Sequence, residues 1–296
     1  MNPTGIFLDL TKAYDELSHK VLLSKLDTYG IRGVANKWFE SYLSRRKQCI
    51  EIKSKKHRTA VSATRDIMNG VPKGSTLGPI LFLLYINDLP LNVAGTNIVL
   101  FTDDTNLLIT GENINTMQSS LNSVMQDTQT WFFSNSLIVN TGKTSAISFH
   151  TTQNKSPALP RVSLEDRDIP FSTETKFLGV YIHENVKWTA HIKNLSSKLN
   201  TSLYMINSLT SITSAHVLRT MYFACFHTHL RYGVSLWGGD PESKKIFRPQ
   251  KKAVRILSRV DQHVSCRNLF KQLNILTLPC LYIRKVVCKA RLNWER

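Results

Sequence analysis

Hydrophobic and polar positions follow one rhythm in the first part of this chain and another after about residue 188. Residues 5–9 are an apolar run closed by an acid, Asp9, which predicts a short buried strand. Ser18 stands where a helix N-cap is expected, ahead of Val21, Leu22, Leu26 and Tyr29 on one face, and Gly30 stops the pattern. A second helix is predicted over Val34–Leu43, with Trp38 and Tyr42 one turn apart in the core. Residues 48–53 alternate like a strand and run into Lys55-Lys56-His57-Arg58. That basic hairpin reads equally well as a phosphate contact or as an edge strand guarded by lysines. Residues 70–75, with two glycines and a proline, predict a tight turn. Leu77–Ile86, apolar on all sides, predicts a buried helix.

Two apolar runs around a polar turn predict a hairpin over residues 98–109, with Asp103 and Asp104 at its tip. The clearest helix follows: Ile114, Met117, Leu121, Val124, Met125, Thr128, Trp131 and Phe132 share one face. A strand at 146–149, a loop at 150–161, a small hairpin at 162–171 and a strand at 176–182 complete this part. From Trp188 the pattern is wholly helical, through Ile192, Leu195, Leu199, Leu203 and Ile206, then Val217, Leu218, Met221 and Cys225. In the last predicted helix, 244–259, Arg248, Lys251, Lys252, Arg255 and Arg259 recur on one face.

Charge sharpens that division. Of the net +17, residues 1–182 carry +3 (19 basic, 16 acidic) and residues 183–296 carry +14 (19 basic, 5 acidic). So lopsided a balance points to a polyanion, and the one-sided basic helix suits a phosphate backbone. Five cysteines without C-x-x-C spacing suggest reduced thiols; His263 and Cys266 lack the second pair that a zinc finger needs. The longest apolar run, 79–86, is too short for a bilayer span, and no signal peptide is visible. The expectation is a soluble intracellular protein without a membrane partner.

The adjacent carboxylates admit two readings. Aspartate favours turns, so Asp103 and Asp104 can be an ordinary surface turn. They can also be oxygen ligands for a hard divalent cation such as Mg²⁺. Asp9, at the end of the first predicted strand, would be a third acid if that strand neighbours the hairpin. The element order β-α-β-β-α is that of a split βαβ unit.

Three ordered motifs then carry a resemblance: residues 7–15 (Phe-Leu-Asp-Leu-Thr-Lys-Ala-Tyr-Asp), residues 70–79 (Gly-Val-Pro-Lys-Gly-Ser-Thr-Leu-Gly-Pro) and residues 101–104 (Phe-Thr-Asp-Asp). They resemble motifs A, B and C of the reverse transcriptases of non-LTR (LINE-type), jockey-like retrotransposons. Residues 140–144 resemble motif D, and residues 176–180 resemble motif E, the primer grip. The likeness runs on through residues 188–192, 232–238 and 250–255.

What the resemblance implies is an α+β fold: a polymerase palm (a split βαβ, an antiparallel sheet with helices on one face) over 1–182, then an all-helical basic thumb over 183–296. It implies catalytic roles for Asp9, Asp103, Asp104 and Lys143. Two Mg²⁺ ions, or Mn²⁺, would be held by Asp9, Asp103, Asp104 and the Leu10 carbonyl. Tyr14, Lys73 and Gly74 would meet the incoming dNTP, with Tyr14 rejecting a ribose 2′-hydroxyl. Phe177, Leu178 and Gly179 would grip the primer; Arg248, Lys251, Lys252, Arg255 and Arg259 would hold the duplex of RNA template and DNA primer. A nuclear site is what copying in that family requires. Against the family pattern, Lys73 stands in place of glutamine and Thr102 in place of alanine, and a fingers segment is expected to be missing. The alternative is a remnant that binds nucleic acid without copying it.

Overall fold

The structure, a computed structural model, describes residues 3–53, 59–153, 159–165 and 167–294. The expected basic hairpin at 55–58 and the loop residues 154–158 lie outside them. The chain forms two compact units, residues 1–173 and 174–296.

The N-terminal unit is built on one antiparallel sheet in the order β6-β7-β1-β8, from β1 (Thr4–Leu8), β6 (Asn97–Phe101), β7 (Asp104–Ile109) and β8 (Ser145–Ser148). Because side chains alternate along a strand, the register sorts the sheet into two faces. Ile6, Leu8, Leu107, Ile109, Ile98 and Leu100 share the face that packs into the core; Phe7, Val99, Asp104, Asn106 and Leu108 share the open one. Helices α1 (Ala13–Glu16), α2 (His19–Thr28), α3 (Val34–Leu43), α4 (Leu77–Ile86), α5 (Leu89–Asn92) and α6 (Ile114–Ser134) complete the unit. Asn113 starts α6 through a reciprocal capping box with Thr116, and Tyr85 of α4 donates to the Asn135 carbonyl at its far end, 2.6 Å away. Lys25 of α2 ties the same core together: its ammonium lies over the Tyr85 and Trp131 rings and bonds Asp88 at 2.6 Å.

Three expectations change in this unit. Trp38 is 54% exposed, stacked on Tyr42, because α3 turns only Leu43 fully inward. The all-apolar α4 buries Leu81, Phe82, Tyr85 and Ile86 but leaves Ile80 and Leu83 about half exposed. The run 48–53 is two strands, β2 (Lys47–Gln48) and β3 (Glu51–Lys53), paired with β5 (Arg65–Asp66) and β4 (Thr59–Val61) respectively. A small hairpin, β9 (Ser163–Leu164) and β10 (Arg167–Asp168), closes the unit.

In the C-terminal unit, residues 176–182 are not one strand but parts of a hairpin, β11 (Glu174–Phe177) and β12 (Val180–His183). Its loop is Leu178 and Gly179, both at positive φ, the geometry a two-residue type I′ turn requires. This hairpin packs with the helices, so the structural division falls at 173/174 rather than after 182. Helices α7 (Thr189–Ser208), α8 (Ala215–Met221), α9 (Thr228–Arg231), α10 (Val234–Trp237), α11 (Lys244–Ser258), α12 (Cys266–Gln272) and α13 (Leu278–Trp294) bury a second core. The predicted helix around Val217 is interrupted by a π-helical turn at Tyr222–His227.

Candidate active site

β1 ends at Leu8, paired with Thr105, while Phe101 pairs with Asp104 to close the β6–β7 hairpin. One step beyond the last pair, Asp9 falls opposite Asp104 on the open face. Asp104 registers the crowding: burial first, then the charges of Asp103 and Asp9, hold its carboxyl above the usual carboxylate range. The three acids therefore share one electrostatic site.

The hairpin loop is only Thr102 and Asp103. A loop this short needs a positive φ, and Thr102 supplies it at 53°, a strained choice for a β-branched residue. Its hydroxyl lies 2.9 Å from Asp103 Oδ1 and 2.7 Å from the Phe101 carbonyl, so the departure from alanine gives Asp103 a hydrogen-bond partner.

Past β1 the chain keeps pairing. Asn140 N–H donates to the Asp9 carbonyl at 2.7 Å and Thr11 N–H to the Ile138 carbonyl at 2.8 Å. Those bonds flank a Leu10–Val139 bridge, so the Leu10 carbonyl turns away from residues 138–140, toward the β7 side. Asn140 also accepts the backbone N–H of Lys143, whose ammonium reaches to 3.5 Å from Asp9 Oδ2. Lys143 and Asp9, 134 positions apart, are thus brought together by the edge of the sheet.

Tyr14 packs its ring against Phe82 of α4, centroids 4.9 Å apart. Burial, then the charge on Asp103, pushes its hydroxyl up. The turn before α4 is locked to the same segment. Val71 N–H donates to the Tyr14 carbonyl at 2.9 Å and Gly70 N–H to the Leu17 carbonyl at 2.7 Å. A Cβ on Gly70 would stand 2.6 Å from the Asp15 carbonyl oxygen, at a φ of +78°, so only glycine fits. Lys73 extends from this turn to Asp15, 2.7 Å away. Gly74, at φ +76°, has open space around it.

The sequence alone missed how this turn is held: His19 Nε2 and the Arg46 guanidinium both bond the Gly70 carbonyl, at 2.8 and 2.6 Å. Arg46 sits in a basic run that reads as surface, and no local signal marks its partner 24 residues away. Among the described residues no group of three or more His, Cys, Asp or Glu side chains is arranged to hold a metal ion. Mg²⁺ is commonly held by only one or two protein carboxylates, its shell completed by substrate phosphates and water.

Residues 1–182 match the family model described as reverse transcriptase (RNA-dependent DNA polymerase). The chain belongs to the reverse transcriptase family. Among curated relatives of this reverse transcriptase domain, it is similar to the probable RNA-directed DNA polymerase from transposon X-element of Drosophila melanogaster. The two are 23% identical over 290 residues, covering 93% of this chain and 30% of that protein. The RNA-directed DNA polymerase from mobile element jockey of the same species is 25% identical over 295 residues, 92% of this chain and 30% of the relative. The chain thus spans about a third of the length of these relatives. Among solved structures, a telomerase from Candida albicans in complex with a fragment of telomeric RNA overlays at a TM-score of 0.42. It is 11% identical, covering 94% of this chain and 51% of that one.

In the C-terminal unit, the Tyr232 hydroxyl donates to the Leu178 carbonyl and its ring underlies Gly179, fixing the β11–β12 turn. The basic helix departs from its expected single face. Arg248 and Lys252 point outward, and Lys251 folds its ammonium over the Phe247 ring, 4.6 Å from the centroid. Arg255 donates to the Val264 carbonyl, and Arg259, beyond the end of α11 at φ 52°, donates to the Thr213 carbonyl.

Proposed function

We propose that this reverse transcriptase domain copies RNA into DNA by metal-assisted transfer of a nucleotidyl group from a dNTP to a primer 3′-hydroxyl. The observation that carries the reading is the meeting of Asp9 and Asp104 on the open face of the sheet, with Asp103 beside them in the hairpin loop. Asp9 and Asp103, with Asp104 and the Leu10 carbonyl beside them, would hold two Mg²⁺ ions. When bound, such a pair polarises the α-phosphate and lowers the pKa of the attacking hydroxyl.

The chain's own residues do the rest. Thr102 orients the Asp103 carboxylate. Tyr14, packed against Phe82, would exclude a ribose 2′-hydroxyl. Lys73 can exchange the Asp15 carboxylate for a phosphate, since an exposed ion pair holds it by no more than about 1 kcal/mol. Lys143, 3.5 Å from Asp9, would give a proton to the departing pyrophosphate. Phe177, Leu178 and Gly179 would seat the primer end, and the basic α11 would follow the template–primer backbone.

The test is extension of an oligo(dT) primer on poly(rA) with Mg²⁺ and labelled dTTP, beside Asp103→Asn. Extension by the wild type and none by the variant supports the reading. Equal incorporation by both would place the chemistry elsewhere.

A further inference from the structure

α11, α12 and the start of α13 line an open cavity of about 790 Å³ within the C-terminal unit, using none of the residues of the acidic site. Its floor is apolar: the half-buried Phe247 ring stacks on the buried Phe270 ring with centroids 6.1 Å apart, and Ile275 and Leu276 extend the surface. Its rim is cationic, formed by Lys251, Arg255, Arg267 and Lys271. Residues 244–294 contain thirteen lysines and arginines against one acid, Asp261. Among the described residues none of the four rim cations is in an ion pair.

That combination selects its occupant. An apolar ligand would leave four uncompensated cations around it, and a bare phosphate would gain nothing from an aromatic floor. A nucleic-acid strand supplies both halves, a flat ring for the floor and phosphates for the rim. Paired bases are stacked inside a duplex and cannot enter, so the base must be unpaired. Lys251 and Arg255 lie one helical turn apart, about 6 Å along the axis, and they continue the outward ridge of Arg248 and Lys252. A strand can therefore pass from ridge to cavity over continuous positive charge.

We propose that this cavity is a single-strand nucleic-acid site, which takes an unpaired base against Phe247 and Phe270 with the flanking phosphates on Lys251, Arg255, Arg267 and Lys271. It shares Lys251 and Arg255 with the duplex-facing helix α11, but Phe270, Arg267 and Lys271 come from α12 and belong to the cavity alone, and it stands whether or not the acidic site polymerises.

Fluorescence anisotropy on the full chain tests it, using labelled dT15, U15, a 15-base-pair duplex, and a 15-mer of abasic deoxyribose phosphates with the same charge. The base-bearing strands should bind at least about tenfold tighter than the abasic strand, and the tighter of dT15 and U15 identifies the source strand. Arg267→Gln with Lys271→Gln changes two exposed side chains that hold nothing else in the fold. It should weaken single-strand binding and flatten its log–log salt slope by about 1.4, with duplex affinity unchanged within about twofold. A dT15 carrying 5-iododeoxyuridine should crosslink to Phe247 or Phe270. Abasic and base-bearing strands binding alike, or equal losses for duplex and single strand, would overturn the proposal. So would preferential binding of an acidic amphipathic peptide over every strand, which would make the cavity a protein dock.

Discussion

The Lys73 ammonium stands 2.7 Å from the Asp15 carboxylate, joining the turn before α4 to helix α1. The pair is exposed, so it adds little to stability, but it fixes where the only cation on that turn rests. Lys73→Gln, the residue usual in the family, should shift the melting temperature by no more than about 4 °C. Because it removes a charge offered to the triphosphate, it should raise KM for dNTP more than it changes kcat. Steady-state kinetics at two salt concentrations checks this: the wild-type KM should be the more salt-sensitive of the two.

Gly70 and Gly74 both sit at positive φ, yet only Gly70 is walled in by backbone. Gly70→Ala must push back the carbonyls of Tyr14 and Asp15, and should cost well over the ~1 kcal/mol expected of Gly74→Ala, which meets only the conformational penalty. Thermal melts of the two variants order them directly.

At Thr102 strain and function pull apart. Thr102→Gly relieves a β-branched residue at φ 53° and should stabilise the fold by about 1 kcal/mol. It also removes the hydroxyl at Asp103, so primer extension should slow. Thr102→Ser keeps the hydroxyl and should keep the rate. A glycine variant that is both more stable and fully active would contradict the orienting role.

Asp104 gives a pH signature. Its carboxyl titrates higher in the fold than in the unfolded chain, so the folded state holds the extra proton between the two values. Stability should therefore fall as pH rises through the carboxylate range, the loss being complete above the folded value. Asp104→Asn should raise the metal-free melting temperature at neutral pH and reduce the stabilisation that added Mg²⁺ provides. Melts with and without Mg²⁺ read both effects.

Much of this was legible in the chain because it is local. The places of Asp9 at a strand end and of Asp103 and Asp104 at a hairpin tip, and helices such as α4 and α6, follow from period and turn chemistry, whereas the role of the acids came only from the motif resemblance. What was not legible depends on distant partners. Trp38 looks like core until the rest of α3 shows which face is buried. A run such as 176–182 reads as one strand because a two-residue turn leaves the apolar pattern unbroken, and only the positive φ of Leu178 and Gly179 reveals the hairpin. The basic helix showed its charges but not that Lys251 and Arg255 border an aromatic cavity, since Phe270 comes from another helix. Arg46 and His19 had no signal, because the group they hold is a backbone carbonyl far along the chain.

The central claim is that the acids at the end of β1 and the tip of the β6–β7 hairpin do the chemistry and do not hold the nucleic acid. The most direct measurement is single-turnover primer extension and equilibrium template–primer binding on the same preparations of wild type and Asp9→Asn. The account expects the rate to fall by at least about 10²-fold while affinity stays within about twofold. A variant that extends primers at the wild-type rate, or that loses affinity in step with rate, would contradict it.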